Sequence, residues 1–152
     1  MDKLKIYVKS ILIPLIVGAV IGFITSGSMN ISDLKEPNFA PPDILFPIVW
    51  TILYTLMGVS YGILETNDLI DEDIDSIYYS QLVVNALWSI FFFGLKWRLF
   101  AFLWIILLIV LVISMIRKFY SKNKTAGLLQ VPYLIWISFA AILNLSIYLL
   151  NR

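Results

Sequence analysis

Histidine and cysteine are both missing from this chain. Zinc sites, thiol nucleophiles, disulfides and imidazole acid–base chemistry are therefore excluded together. What remains for a site is a set of neutral amides, hydroxyls and large rings, and these fall into three stripes. Gln81, Asn85, Trp88 and Phe92 recur at i, i+4, i+7 and i+11; Trp50, Tyr54, Gly58 and Tyr61 form a second set, and Pro132, Trp136, Ala140 and Asn144 a third. Such spacing puts each set on one face of a helix. A pocket lined by rings and carboxamides would work by shape, stacking and neutral hydrogen bonds. Tryptophans and asparagines of this kind also pack helices together without binding anything. The stripes point to a cavity and leave its ligand unnamed. Tyr78, Tyr79, Trp97, Tyr120 and Tyr148 read instead as an interfacial belt.

The elements that carry these stripes are set by composition. Of the 152 residues 61% are hydrophobic and 14% charged, and the mean hydropathy is +0.91. A soluble fold could not cover its surface with so few polar groups. A bilayer core needs about 20 apolar residues per helix. That ruler divides the chain into five spans: Tyr7 to Thr25, Ile44 to Leu64, Ile77 to Leu95, Leu99 to Ile116 and Ala126 to Leu150. Backbone groups in lipid must bond internally, so runs of this length read as helices, and no alternating pattern suggests a transmembrane barrel. The fold class is all-α: one domain, residues 1–152, a polytopic bundle of five transmembrane helices. Lys3, Lys5 and Lys9 before an apolar run also describe a signal peptide, but the run is long for one and lacks a convincing cleavage site, so a retained helix is expected. Net charge is +1 with no basic stripe, which gives nucleic acid nothing to bind.

Apart from Lys9 at the start of the first, no Asp, Glu, Lys or Arg lies inside a span; Asp43 and Glu65 sit at helix ends. That argues against a proton-coupled transporter, an ion pump or a voltage sensor. Glu65, Asp68, Asp71, Glu72, Asp73 and Asp75 form an acidic run between spans 2 and 3, which reads as a solvated, self-repelling loop rather than a cation site. Seven cations (Lys3, Lys5, Lys9, Arg117, Lys118, Lys122, Lys124) fall on the N-terminal side and four (Lys35, Lys96, Arg98, Arg152) opposite, which predicts a cytoplasmic N-terminus. Gly18 and Gly22 make a small-xxx-small pair for close packing within the subunit. By helical rise, Trp88 and Trp136 should lie about 12–15 Å from the cytoplasmic helix ends, and Trp50 and Asn144 about 20–24 Å.

Three stretches resemble the TspO/MBR family (tryptophan-rich sensory protein, translocator protein, peripheral benzodiazepine receptor). The first is Pro37, Asn38, Phe39, Ala40, Pro41 and Pro42, then Phe46, Trp50, Tyr54, Met57 and Gly58. The second is Gln81, Asn85, Trp88, Phe91 and Phe92. The third is Pro132, Tyr133, Trp136, Phe139, Ala140, Leu143 and Asn144. The resemblance implies a five-helix membrane protein, often a homodimer, that binds tetrapyrroles such as protoporphyrin and haem, sterols and synthetic aromatic drugs. It places ligand contacts at Trp50, Asn85, Trp88, Trp136, Ala140 and Leu143, to which the stripes add Tyr54, Phe92 and Asn144. It further implies a lid from the first loop, here Phe39, Pro41 and Pro42, over the cavity. The resemblance implies that no cofactor is required and that the tetrapyrrole is the ligand; without His or Cys its ring rather than a bound iron would be recognised. The partners are a lipid bilayer and a hydrophobic small molecule, and a bacterial cell membrane is the expected location. The chain departs from the family at Glu36, Phe39 and Asn30-Ile31, where relatives carry Lys, Trp and Trp-Tyr. A less aromatic lid speaks against the enzymatic alternative, a porphyrin photo-oxidase using Trp50 and Trp136, for which no acid–base pair is present either. The remaining alternative is a structural assembly protein whose stripes pack against one another.

Overall fold

The computed structural model describes residues 2–26 and 34–152. Their regular elements are helical throughout: α1 (Lys3–Thr25), α2 (Leu45–Thr66), α3 (Glu72–Ser89), which runs on into a π-helical segment (Ile90–Gly94), α4 (Arg98–Lys122), α5 (Lys124–Leu128) and α6 (Val131–Asn151). With the π segment counted into α3, and α5 joined to α6, five helices are long and apolar enough to cross a membrane. The protein is an all-α, multi-pass membrane bundle, as its composition predicts.

Helix ends depart from the apolar windows because hydropathy marks the lipid, not the helix. Asp71 is the N-cap of α3 and accepts the Ile74 N–H at 2.8 Å, with Glu72, Asp73 and Asp75 in the first turn, where the helix dipole favours negative charge. The third helix therefore starts five residues before Ile77, and it takes in Glu72, Asp73 and Asp75, half of the acidic run. The other end of the expectation for that run is corrected too. Lys9 pairs with Glu65 at 2.9 Å, Lys118 with Asp73 at 2.7 Å and Lys122 with Asp71 at 2.8 Å, so cations from α1 and α4 relieve the repulsion. The hydrogen bond from Lys122, and then that from the Ile74 N–H, hold the Asp71 carboxyl below the ordinary carboxylate range. α4 runs past Ile116 to Lys122, its cations suited to the negative end of the helix dipole. The last span is broken in two. Asn123 caps α5 through the Ala126 N–H at 3.1 Å, and Pro132 offers no N–H to the Leu128 carbonyl and crowds it, so α6 starts afresh at Val131.

Lipid is as apolar as leucine, so helices associate here by close fit rather than by escaping water. The seam between α1 and α2 shows how. A Cβ on Gly58 would run into the backbone of Ser10 and Ile11, and one on Gly62 into the Tyr7 ring. These two glycines, four residues apart, let the helices touch. Gly18 also packs within the chain, its face covered by the Tyr54 ring, whereas no atom of the described residues lies within 4 Å of a Cβ placed on Gly22. Below the seam, Ser60 donates to the Ala126 carbonyl at 2.7 Å, and Met57, Leu64, Ile105, Val112, Met115, Phe119 and Ile137 are fully buried.

Candidate functional site

In the half of the bundle remote from the N-terminus, a cavity of about 480 Å³ opens between α1, α2 and the end of α3. Its aromatic walls are Phe46, Trp50 and Tyr54 from α2, Trp88 from α3 and Phe93 from the π segment; Leu15, Gly18, Ala19, Ile21, Gly22 and Thr25 close it from α1. The volume lies within the range of small-molecule sites, about 300–1,000 Å³, and the lining has their usual mix of apolar surface and a few polar atoms. A second, much smaller pocket of about 30 Å³ lies toward α6, bounded by Phe92, Ala140, Leu143, Asn144 and Ile147, and sharing Phe46, Trp88 and Phe93 with the first.

Trp50 stacks on Tyr54 with ring centroids 5.4 Å apart and meets the Tyr133 ring edge-on at 6.2 Å. Behind that wall runs a chain of hydrogen bonds. The Tyr54 hydroxyl donates to Asn85 Oδ1 at 2.6 Å, Asn85 Nδ2 donates to the Tyr133 hydroxyl at 2.7 Å, that hydroxyl donates to Gln81 Oε1 at 2.8 Å, and Gln81 Nε2 donates to Met57 Sδ at 3.4 Å. The thioether has no proton to give, so it fixes which way the Gln81 amide faces, and with it the direction of every bond back to Tyr54. A second tie holds Trp88: its indole N–H donates to Asn144 Oδ1 at 3.0 Å, and Asn144 Nδ2 donates to the Arg98 carbonyl at 2.8 Å. Both carboxamides face the interior, as membrane burial demands, but their bonds go to the bundle itself.

The residues singled out in the sequence are therefore distributed unevenly. Trp50, Tyr54 and Trp88 line the large cavity, and Trp88, Phe92, Ala140, Leu143 and Asn144 line the small pocket. Asn85 is buried behind Tyr54. Trp136 sits behind Phe46, 5.8 Å away edge-to-face, and against Phe139 at 5.5 Å; its indole N–H is buried without a partner among the described residues. The expected depth pairing is corrected as well. Trp88 lies level with Asn144 rather than with Trp136, as its indole hydrogen bond shows, because the apolar windows of two helices need not begin at one depth. The third wall of the main void is α1, not the fifth span. The ligand contacts expected from the sequence include none on α1 and neither Phe46 nor Phe93; on α1 the Gly18–Gly22 pair was the available signal, since a stripe without side chains can leave a space as readily as it closes one.

Of the lid residues, Phe39 is half exposed and meets Phe139 edge-on at 6.1 Å. Pro41 and Pro42 lead into α2, the Pro42 carbonyl accepting the Leu45 N–H at 3.0 Å. An unforeseen clasp ties this segment to the far end of α6: the Lys35 N–H donates to Asn151 Oδ1 at 3.0 Å, and Asn151 Nδ2 donates to the Lys35 carbonyl at 2.9 Å. Asn30 and Ile31 lie outside the described residues.

Fold and site together define a polytopic helical membrane protein with an aromatic-walled, uncharged cavity. A profile of the TspO/MBR family matches residues 10–150. The chain is 42% identical to the tryptophan-rich protein TspO of Archaeoglobus fulgidus, over 99% of both chains. It is 33% identical to the tryptophan-rich sensory protein of Cereibacter sphaeroides, over 78% of this chain and 75% of that one, and 30% identical to the translocator protein of Sus scrofa, over 78% and 73%. The chain belongs to the TspO/MBR family.

Proposed function

We propose that this protein is a membrane receptor or carrier for hydrophobic aromatic ligands, tetrapyrroles foremost and sterols next, with a sensory or transport role. The observation that carries the proposal is the uncharged cavity walled by Trp50, Tyr54 and Trp88 within the membrane-spanning bundle. Stacking on those rings supplies contact area, and the absence of ionised groups spares an apolar ligand the cost of lying beside an unpaired charge. The names of two relatives speak of sensing and of translocation, and we extend that role to this chain. The charge asymmetry supports a cytoplasmic N-terminus in a bacterial cell membrane, and family membership supports a homodimer.

Protoporphyrin titration in detergent, followed by its own absorbance and by tryptophan quenching, tests the reading. Trp50→Phe removes half of a stacked wall and is expected to weaken binding about tenfold, the order of one lost aromatic contact. Trp136→Phe, off both pockets, is expected to change it less than about threefold. Unchanged affinity in Trp50→Phe would show that the ligand is elsewhere.

A further inference from the structure

Phe46, Trp88 and Phe93 belong to the lining of both pockets. They form a partition one side chain thick between the large chamber on α1 and the small one on α6. Resting on the receptor reading above, we infer that Phe93 is the movable panel of this partition and sets the widest ligand the protein accepts. The other two panels are held. Trp88 is tied through its indole to Asn144 at 3.0 Å and stacked on Phe92 at 5.3 Å. Phe46 sits in the first turn of α2 with Trp136 edge-on behind it at 5.8 Å. Phe93 touches Trp88 and Phe92 only by ring edges, at 6.1 and 4.8 Å, and is incompletely buried.

Its backbone also differs. Phe93 lies on the π-helical turn Ile90–Gly94, where the Leu95 N–H reaches back to the Ile90 carbonyl at 2.8 Å. A π turn holds one residue more than an α turn, a geometry found as single turns in helices and often at functional sites. Letting that extra residue slip toward the Leu95–Trp97 turn would rotate Phe93 without unwinding α3. The large chamber, about 480 Å³, has the volume of a small-molecule site. With Phe93 turned aside it would join the space of about 30 Å³ beside Ala140 and Leu143 and admit a ring broader than the shut partition allows. One chain would then hold a narrow ligand with the panel shut and a broad one with it open.

Protoporphyrin and carbazole, a flat tricycle, are the two probes, titrated against the protein in phosphatidylcholine nanodiscs with empty discs as blanks. Phe93→Ala leaves the partition open. It is expected to bind protoporphyrin about tenfold tighter, with faster association, and carbazole about threefold more weakly for want of a wall. Phe93→Leu keeps most of the volume and should shift both probes the same ways by less, and it decides the matter should the alanine variant not fold. Affinities that move together for the two probes, or do not move, would overturn the panel while leaving the receptor reading intact. A wild-type protein that binds neither probe would overturn the receptor reading itself, and the panel with it.

Discussion

The two halves of this bundle use the same kinds of residue to opposite ends. In the half that holds the N-terminus, Gly58 and Gly62 bring α1 against α2, and three ion pairs bridge the helix ends. Among the described residues of the other half, Gly22 has no neighbour against its face, aromatic rings stand around a void, and Trp136 Nε1 and Arg98 Nε are buried without partners. Glycine closes one end of a seam and opens the other because its effect depends on what faces it: a backbone in the first case, nothing in the second. The division is not complete, since Gln130 is fully buried toward the packed end with neither amide atom bonded among the described residues. The difference shows how a membrane protein keeps a cavity. One half is fitted tightly enough to hold the other apart.

The largest effect should come from breaking that fit. Gly58→Val would drive two methyls into the Ser10 and Ile11 backbone and is expected to destabilise by about 3 kcal/mol, the upper end for overpacking, measured by thermal unfolding in detergent. Gly22→Val should change stability by no more than about 0.5 kcal/mol while filling the cavity and weakening protoporphyrin binding. Equal destabilisation by the two would erase the contrast between the halves.

Next is Tyr133→Phe, which removes the centre of the chain from Tyr54 to Met57 and strands Asn85 Nδ2 and Gln81 Oε1. Hydrogen bonds between membrane helices are worth about 0.6 kcal/mol on average and at most about 1.7, so a loss of about 1–2 kcal/mol is expected, with ligand affinity falling because Tyr54 and Trp50 lose their backing. A variant as stable as the parent would show that the chain is incidental to packing.

The smallest concerns the ion-paired end. Asp71 is held below its ordinary value of 3.8 by Lys122 and by the Ile74 N–H. A depressed carboxylate stabilises the fold above its unfolded pKa and loses that contribution as pH falls through the folded one. Melting temperature should therefore hold steady down to the ordinary carboxylate value and drop below it. Asp71→Asn, which keeps the cap but not the charge, should remove part of that drop.

Much of this was legible in the residues themselves. Five apolar runs cannot lie in lipid except as helices, because every backbone group must find its partner within the run. Absence of histidine and cysteine disposed of whole classes of chemistry, and the periodic rings on α2 and α3 marked Trp50, Tyr54 and Trp88. The α3 start was also written, in the Asp71 cap and its acidic first turn, but hydropathy does not register a helical turn that lies in water.

What the fold alone decided is which faces meet and where they fail to. Helical periodicity says that Asn85 and Asn144 share a side with the tryptophans; it does not say whether a carboxamide reaches a ligand or a neighbouring helix. Here Tyr133 and Trp88 reached them first, and α1 rather than the fifth span became the third wall. Such outcomes turn on relative depth and rotation of helices, which a shift of one residue, about 1.5 Å and 100°, is enough to change. No local pattern in a chain carries that information, because it belongs to pairs of helices and not to either one.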